Sequence, residues 1–265
     1  MSSLQSRVLD LGRGVKVQVH EGGHGAPLVF LHGAGGLLPG DNAFLDQLAQ
    51  HFRVYVPMLP GYDQSEGEDA LRDMLDVTLH TFDVLDALKL RRPLLVGHSL
   101  GGMIAAEMAA VSPYEVERLV LAAPAGLWLD DHEIPDLFAT LPFDIPRMLF
   151  HDADLGVQLL TAGADFNDLT VLGEFMVQNA RRLGLAGKLL FPIPERGLER
   201  RLYRVRAKTL LLWGESDTLI SPAYADAFRR LVPHAQLHTI AEAGHMLMYE
   251  RPQAFADAIR TFASS

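Results

Sequence analysis

Several short stretches of this chain are dense in apolar residues and stop at glycine, histidine or proline. They are PLVFLHG (27–33), FRVYVPMLPG (52–61), PLLVGHS (93–99), VERLVLAAP (116–124) and KTLLLWG (208–214). Apolar residues on both alternating positions mark strands covered on both faces, as in a parallel sheet. Parallel strands cannot be joined by a tight turn, so long crossovers must lie between them. The sequence supplies these. Leu71, Leu75, Leu79, Phe82, Leu85 and Leu88 recur at helical spacing within 69–90. GGMIAAEMAAVS (101–112), AYADAFRRLV (223–232) and 252–263 also read as helices. Val15, Val17 and Val19 alternate with Lys16, Gln18 and His20, the period of a half-exposed strand, and AQLHTIAEAGH (235–245) reads as strand then loop. The alternation predicts an α/β fold with a mostly parallel central sheet flanked by helices. It breaks over 125–200, which has no convincing strand and is rich in Pro, Gly, Phe, Leu and Met. That segment is expected to be an inserted helical cap on a core made of 1–124 and 201–265.

Gly97, Gly101 and Gly102 surround Ser99 in VGHSLGG. Glycine loses more backbone entropy on folding than any other residue, so some close approach must require it here. GHSLG (97–101) fits G-x-S-x-G, the mark of a sharp strand-to-helix turn. At such a turn the residues two before and two after the serine crowd together, and the serine backbone is strained. The hydroxyl then stands at the carboxyl edge of the sheet. The helix that follows offers unpaired N–H groups to a developing negative charge.

A serine hydroxyl attacks poorly unless an oriented base takes its proton. An acid should follow a later strand and a histidine the last one, in the chain order serine, acid, histidine. Asp217 follows LLLWG, and His245 sits in AEAGHMLMYERP between the last strand and the last helix. Glu215 and Asp226 compete for the acid, and His32, His98, His234 and His238 for the base. Asp217 and His245 are the better placed. No histidine shows metal-ligand spacing, so neither metal nor other cofactor is expected.

LHGAGG (31–36), LPGYDQS (59–65), VGHSLGG (96–102) and WGESD…GH (213–245) together resemble an α/β-hydrolase of the serine-triad type over nearly the whole chain outside the cap. The resemblance implies a covalent acyl-enzyme on Ser99, with His245 as base then acid and Asp217 orienting it. It places the oxyanion hole at the backbone N–H groups of Ala34 and Leu100, supported by Gly33, Gly97, Gly101 and a structural His32. Haloalkane dehalogenases and epoxide hydrolases of this fold carry aspartate at the elbow, so Ser99 disfavours those chemistries. Tyr62 and Asp63 depart from the small or glycine residues common in the LPGYDQS block.

Trp128, Leu129, Phe138, Phe143, Met148, Leu149, Phe150, Phe166, Phe175 and Met176 make the cap bulky and apolar. Most are expected to pack the cap onto the core. Trp128, Phe143, Met148, Phe175 and Met246 are candidates for a pocket over Ser99. The expected function is hydrolysis of a small or medium apolar ester, as by a carboxylesterase. A second reading is carbon–carbon bond hydrolysis of ring-fission diketones. Enzymes of that kind resemble this chain in size and cap position, and commonly show a cap arginine, for which Arg147, Arg181 and Arg182 are candidates. A third reading is a ligand-binding protein without catalysis.

The 265 residues have a formal net charge of −10, which disfavours binding a nucleic-acid backbone. The absence of cysteine excludes disulfides and a thiolate nucleophile and fits a reducing cytoplasm. No stretch reaches the ~18 apolar residues of a membrane span, and MSSLQSRVLD lacks the apolar region of a signal peptide. The expected partner is a small apolar molecule, taken by a monomer or homodimer.

Overall fold

The computed structural model describes residues 4–40, 42–141, 143–165 and 168–265. Its strands are β1 (Gln5–Gly12), β2 (Val15–Gly23), β3 (Ala26–Leu31), β4 (Phe52–Pro57), β5 (Leu94–His98), β6 (Arg118–Ala122), β7 (Lys208–Gly214) and β8 (Gln236–Ile240). They form one eight-stranded sheet in the order β1-β2-β4-β3-β5-β6-β7-β8. The β1–β2 and β2–β4 pairs are antiparallel and all the others parallel. Leu95, Val96, Leu119, Val120, Leu211 and Leu212 are all buried, as apolar residues on both alternating positions require.

The helices are α1 (Ala43–Ala49), α2 (Met74–Ala87), α3 (Leu100–Val111), α4 (Ile145–Leu149), α5 (Ala153–Thr161), α6 (Leu169–Leu190), α7 (Ala223–Leu231), α8 (Leu247–Glu250) and α9 (Pro252–Ser264). Helix α1 packs with α9, and α2 with α3. Every residue of α3 from Leu100 to Ala110 is buried, which explains its run of glycine, alanine and methionine. The described residues of 125–200 hold α4, α5, α6 and a 3₁₀ turn at Asp130–His132, with no strand.

Four elements differ from the pattern read in the sequence. Helix α2 buries Met74, Val77, Thr78, Thr81, Val84 and Leu85, while Leu75 and Leu79 stand exposed. The Thr78 and Thr81 hydroxyls donate to the carbonyls of Met74 and Val77 at 2.6 and 2.8 Å, so these polar residues enter the core already satisfied. Strand β1 is an edge strand whose residues are mostly exposed, so no apolar run marked it. Helices α1 and α8 are short, at 7 and 4 residues, too brief to show a clear period.

Because β3, β5, β6, β7 and β8 run the same way, their carboxyl ends share one edge of the sheet. The segments around residues 32–36, 99, 123–128, 215–220 and 241–246 therefore converge there.

Candidate active site

Ser99 joins β5 to α3 with φ 53° and ψ −116°. A non-glycine residue at such a positive φ stores on the order of 1–3 kcal/mol of strain, which surrounding structure must hold in place. Its N–H donates to Ala122 O at 3.0 Å, and its carbonyl accepts from Met103 and Ala125 N–H at 3.0 and 3.1 Å. A Cβ on Gly97 would collide with the Gly101 carbonyl, and one on Gly101 with the carbonyls of Leu31 and His32. The glycines thus let strand, helix and the neighbouring loop meet backbone to backbone.

Asp217, on the loop after β7, and His245, on the loop after β8, are both buried. Asp217 Oδ1 accepts from Leu219 and Ile220 N–H at 3.0 and 2.8 Å. Those bonds fix the carboxylate and present Oδ2 to His245 Nδ1 at 2.9 Å. In the neutral ring that contact puts the proton on Nδ1 and leaves the lone pair on Nε2, the state a general base requires. Ser99 Oγ forms no hydrogen bond among the described residues. Catalytic hydrogen bonds often tighten only once substrate is bound.

His98, the neighbour of Ser99, ties the elbow to the histidine loop. Its Nε2 donates to the His245 carbonyl at 2.9 Å, and the two rings lie 4.8 Å apart. Burial and the nearby His245 hold His98 well below the usual imidazole range, so it stays neutral. The histidine loop is gripped from its other side as well. Glu250 is buried, and its carboxylate accepts from Gly244 N–H at 2.6 Å and from Asp152 N–H at 3.0 Å. Met246 N–H donates to Leu149 O at 3.0 Å. His151 Nδ1 lies 2.9 Å from Ser216 Oγ, and Thr218 Oγ1 donates to Met148 O at 2.9 Å. The stretch 148–152 is thereby stitched to both the acid loop and the histidine loop.

The competing residues lie elsewhere. Glu215 and His238 are exposed, Asp226 faces Arg229 on α7, and His234 Nε2 donates to Ala207 O at 2.9 Å. His32 is buried beneath the loop after β3. Its Nε2 accepts from Leu59 N–H at 3.1 Å, so its Nδ1 carries the proton and donates to Gly33 O at 2.8 Å. Burial lowers its pKa to about 4. Ala34 and Leu100 N–H have no hydrogen-bond partner among the described residues.

Ser99 and Ala34 share a small cleft that is partly open to solvent. Trp128, Ile134, Leu137, Phe138, Leu190 and Ile220 line it, with Ala125, Leu219 and three prolines. Of the pocket candidates only Trp128 is on that wall. Phe143 is 72% exposed, and Phe175 lies on the part of α6 that stands off the core, since α6 buries only Leu185, Ala186 and Leu189. Met246 is buried in the core, and Met148 packs against it, away from the cavity. Phe166 lies outside the described residues. The wall residues Leu219 and Ile220 are within reach of the sequence because they follow Asp217 on the same loop. The 134–138 segment carries no comparable signal.

The only charged side chain on the wall, among the described residues, is Asp136. The arginines of 125–200 named above do not line the cavity: Arg147 is exposed, Arg181 pairs with Glu68 at 3.1 Å, and Arg182 with Asp63 at 2.8 Å. Among the described residues no group of three His, Asp or Glu could hold a metal ion, and no helix is long and apolar enough to cross a membrane.

Sheet order, elbow and flanking helices are those of an α/β hydrolase. The chain belongs to the alpha/beta hydrolase family, whose model matches residues 28–258. It is 25% identical to the 2-hydroxy-6-oxo-2,4-heptadienoate hydrolase of Pseudomonas putida, over 96% of this chain and 95% of that one. It is 30% identical to an sn-1-specific diacylglycerol lipase of Mus musculus, over 89% of this chain and 80% of that one. Among solved structures, a bacterial membrane phospholipase A superposes with a TM-score of 0.82 at 23% identity, covering 99% of this chain and 86% of that one. A meta-cleavage product hydrolase from Pseudomonas fluorescens gives 0.78 at 20% identity, covering 98% and 97%. At these identities the solved structures speak for the fold.

Proposed function

We propose that this hydrolase cleaves uncharged, apolar carboxylic esters through an acyl-enzyme on Ser99, with 125–200 serving as the cap over the site. The observation that carries this reading is the wall of the cavity, which is apolar apart from Asp136. The relatives include both lipases and hydrolases of dienoates. A dienoate carries a carboxylate, and an anion taken out of water needs a cationic partner. No such side chain lines this cavity among the described residues, whereas a neutral acyl chain needs only apolar contact.

In the proposed sequence Ser99 Oγ adds to the ester carbonyl carbon while His245 Nε2 takes its proton. The carbonyl π electrons move to oxygen, which the Ala34 and Leu100 N–H groups stabilise. The tetrahedral species collapses, the bond to the alcohol oxygen breaks, and His245 gives that oxygen its proton. Water then repeats the sequence on the acyl-serine and frees the acid.

The test is Ser99-dependent turnover of p-nitrophenyl acetate and butyrate, measured beside a ring-fission dienoate. Turnover of the esters with none of the dienoate is the expected result, and the reverse overturns the ester reading. Rapid labelling of Ser99 by a fluorophosphonate, lost in His245→Ala, separates an enzyme from a ligand-binding protein. Asp217→Asn is expected to lower kcat by on the order of 10⁴. Its amide would set an N–H₂ against either the Leu219 and Ile220 donors or His245 Nδ1–H. An effect below about tenfold, against that reference, would assign the acid elsewhere.

A further inference from the structure

The loop after β3, His32-Gly33-Ala34-Gly35-Gly36, has little side chain of its own to stiffen it. Two buried aromatic side chains hold it from below. The His32 ring donates to the Gly33 carbonyl at 2.8 Å. Tyr62 is fully buried (0% exposed), and its hydroxyl donates to the Ala34 carbonyl at 2.7 Å. The two rings lie 4.6 Å apart. The Tyr62 ring also packs under Gly36, where an added Cβ would sit 3.1 Å from it. Tyr62 is itself fixed in a tight turn, with its N–H on Leu59 O at 3.0 Å and its carbonyl accepting from Ser65 N–H at 2.9 Å. Burial pushes its phenol pKa up, so the hydroxyl remains a donor.

The Gly33 carbonyl and the Ala34 N–H belong to one planar trans peptide, so pinning the oxygen fixes the direction of the N–H. The Ala34 carbonyl belongs to the next peptide plane. The Ala34 backbone dihedrals relate these two planes, and with both oxygens held they have little freedom left. We propose that Tyr62 is a positioning residue of the oxyanion site, its hydroxyl locking the second plane so that Ala34 N–H stays aimed into the cavity beside Ser99. This inference rests on the ester-hydrolase reading above.

The experiment compares full-length wild type with Tyr62→Phe, which keeps the ring beneath Gly36 and removes only the donor. The readouts are kcat and KM for p-nitrophenyl butyrate and the inhibition constant of an alkyl trifluoromethyl ketone, whose serine adduct carries an oxyanion. Removing an oxyanion donor outright lowers kcat by on the order of 10²–10³, so a donor that has lost its aim should lower it by about 5- to 100-fold. The expected result is such a fall in kcat, an equal loss of ketone affinity, and a KM within about twofold of wild type, the split that marks loss of a transition-state contact. A kcat and ketone affinity both within twofold of wild type would overturn the proposal, as would a fall in kcat with ketone affinity unmoved. If Tyr62→Phe does not fold, 3-fluorotyrosine placed at 62 keeps ring and hydroxyl but alters donor strength. Ketone affinity should then move while KM does not, and unchanged affinity overturns the proposal. A wild-type protein without Ser99-dependent turnover removes the ester reading itself, and the role of Tyr62 with it.

Discussion

On the proposed ester chemistry, Ser99→Ala is expected to lower kcat for p-nitrophenyl butyrate by on the order of 10⁴–10⁶ and to leave the melting temperature unchanged within error. The size follows from cooperation within a triad, where loss of the nucleophile costs about as much as loss of the whole set. The unchanged stability follows from the structure. Ser99 Oγ has no hydrogen-bond partner among the described residues, so its removal leaves no buried group unsatisfied. Alanine also keeps the Cβ, so the positive φ of 53° is no more strained than before. Burst kinetics and thermal melts on the purified variant decide the matter. Turnover retained within about tenfold of wild type would move the chemistry away from Ser99.

The second large effect is loss of stability in mild acid. His32 and His80 are buried rings, both lowered from 6.5 to about 4 by desolvation, and burial also holds His98 well below its usual range. Between pH 6.5 and pH 4 the unfolded chain binds a proton at each of these rings while the folded chain does not. Stability therefore falls as pH drops through that window and is fully present above it. For His32 and His80 the difference amounts to roughly 3 kcal/mol each by pH 4, against a total of about 5–15 kcal/mol for an ordinary domain. Urea midpoints at pH 7, 6, 5 and 4.5 should decline steadily. A flat series would mean that the buried rings are charged or solvated in the native state. His32 adds a local reason for the trend. Protonated at Nε2, it could no longer accept from Leu59 N–H, and the loop carrying Ala34 would lose its footing.

The sheet and the elbow were legible because both depend on local rules. Buried parallel strands must be apolar throughout, and Gly97 and Gly101 occupy places where a Cβ meets backbone. The meeting of Asp217 and His245 follows from chain order and strand ends, which dictate that their loops converge. The packing face of α2 was less accessible. Thr78 and Thr81 satisfy their own hydroxyls and take core positions that the sequence pattern gave to Leu75 and Leu79. The cavity wall was harder still. Phe143 and Phe175 have the right chemistry, but Phe143 stands exposed ahead of α4 and Phe175 precedes the buried C-terminal end of α6, outcomes that depend on tertiary contacts no local period records. Tyr62 looked like a departure from a common pattern, and only the structure gives its hydroxyl a partner.

The geometry at Ser99 has an evolutionary edge. A left-handed serine is a standing liability to the folded chain, since glycine would sit at that corner without strain. Selection for durability alone would favour glycine at this corner, so a serine at residue 99 is a cost that thermal hardiness does not explain.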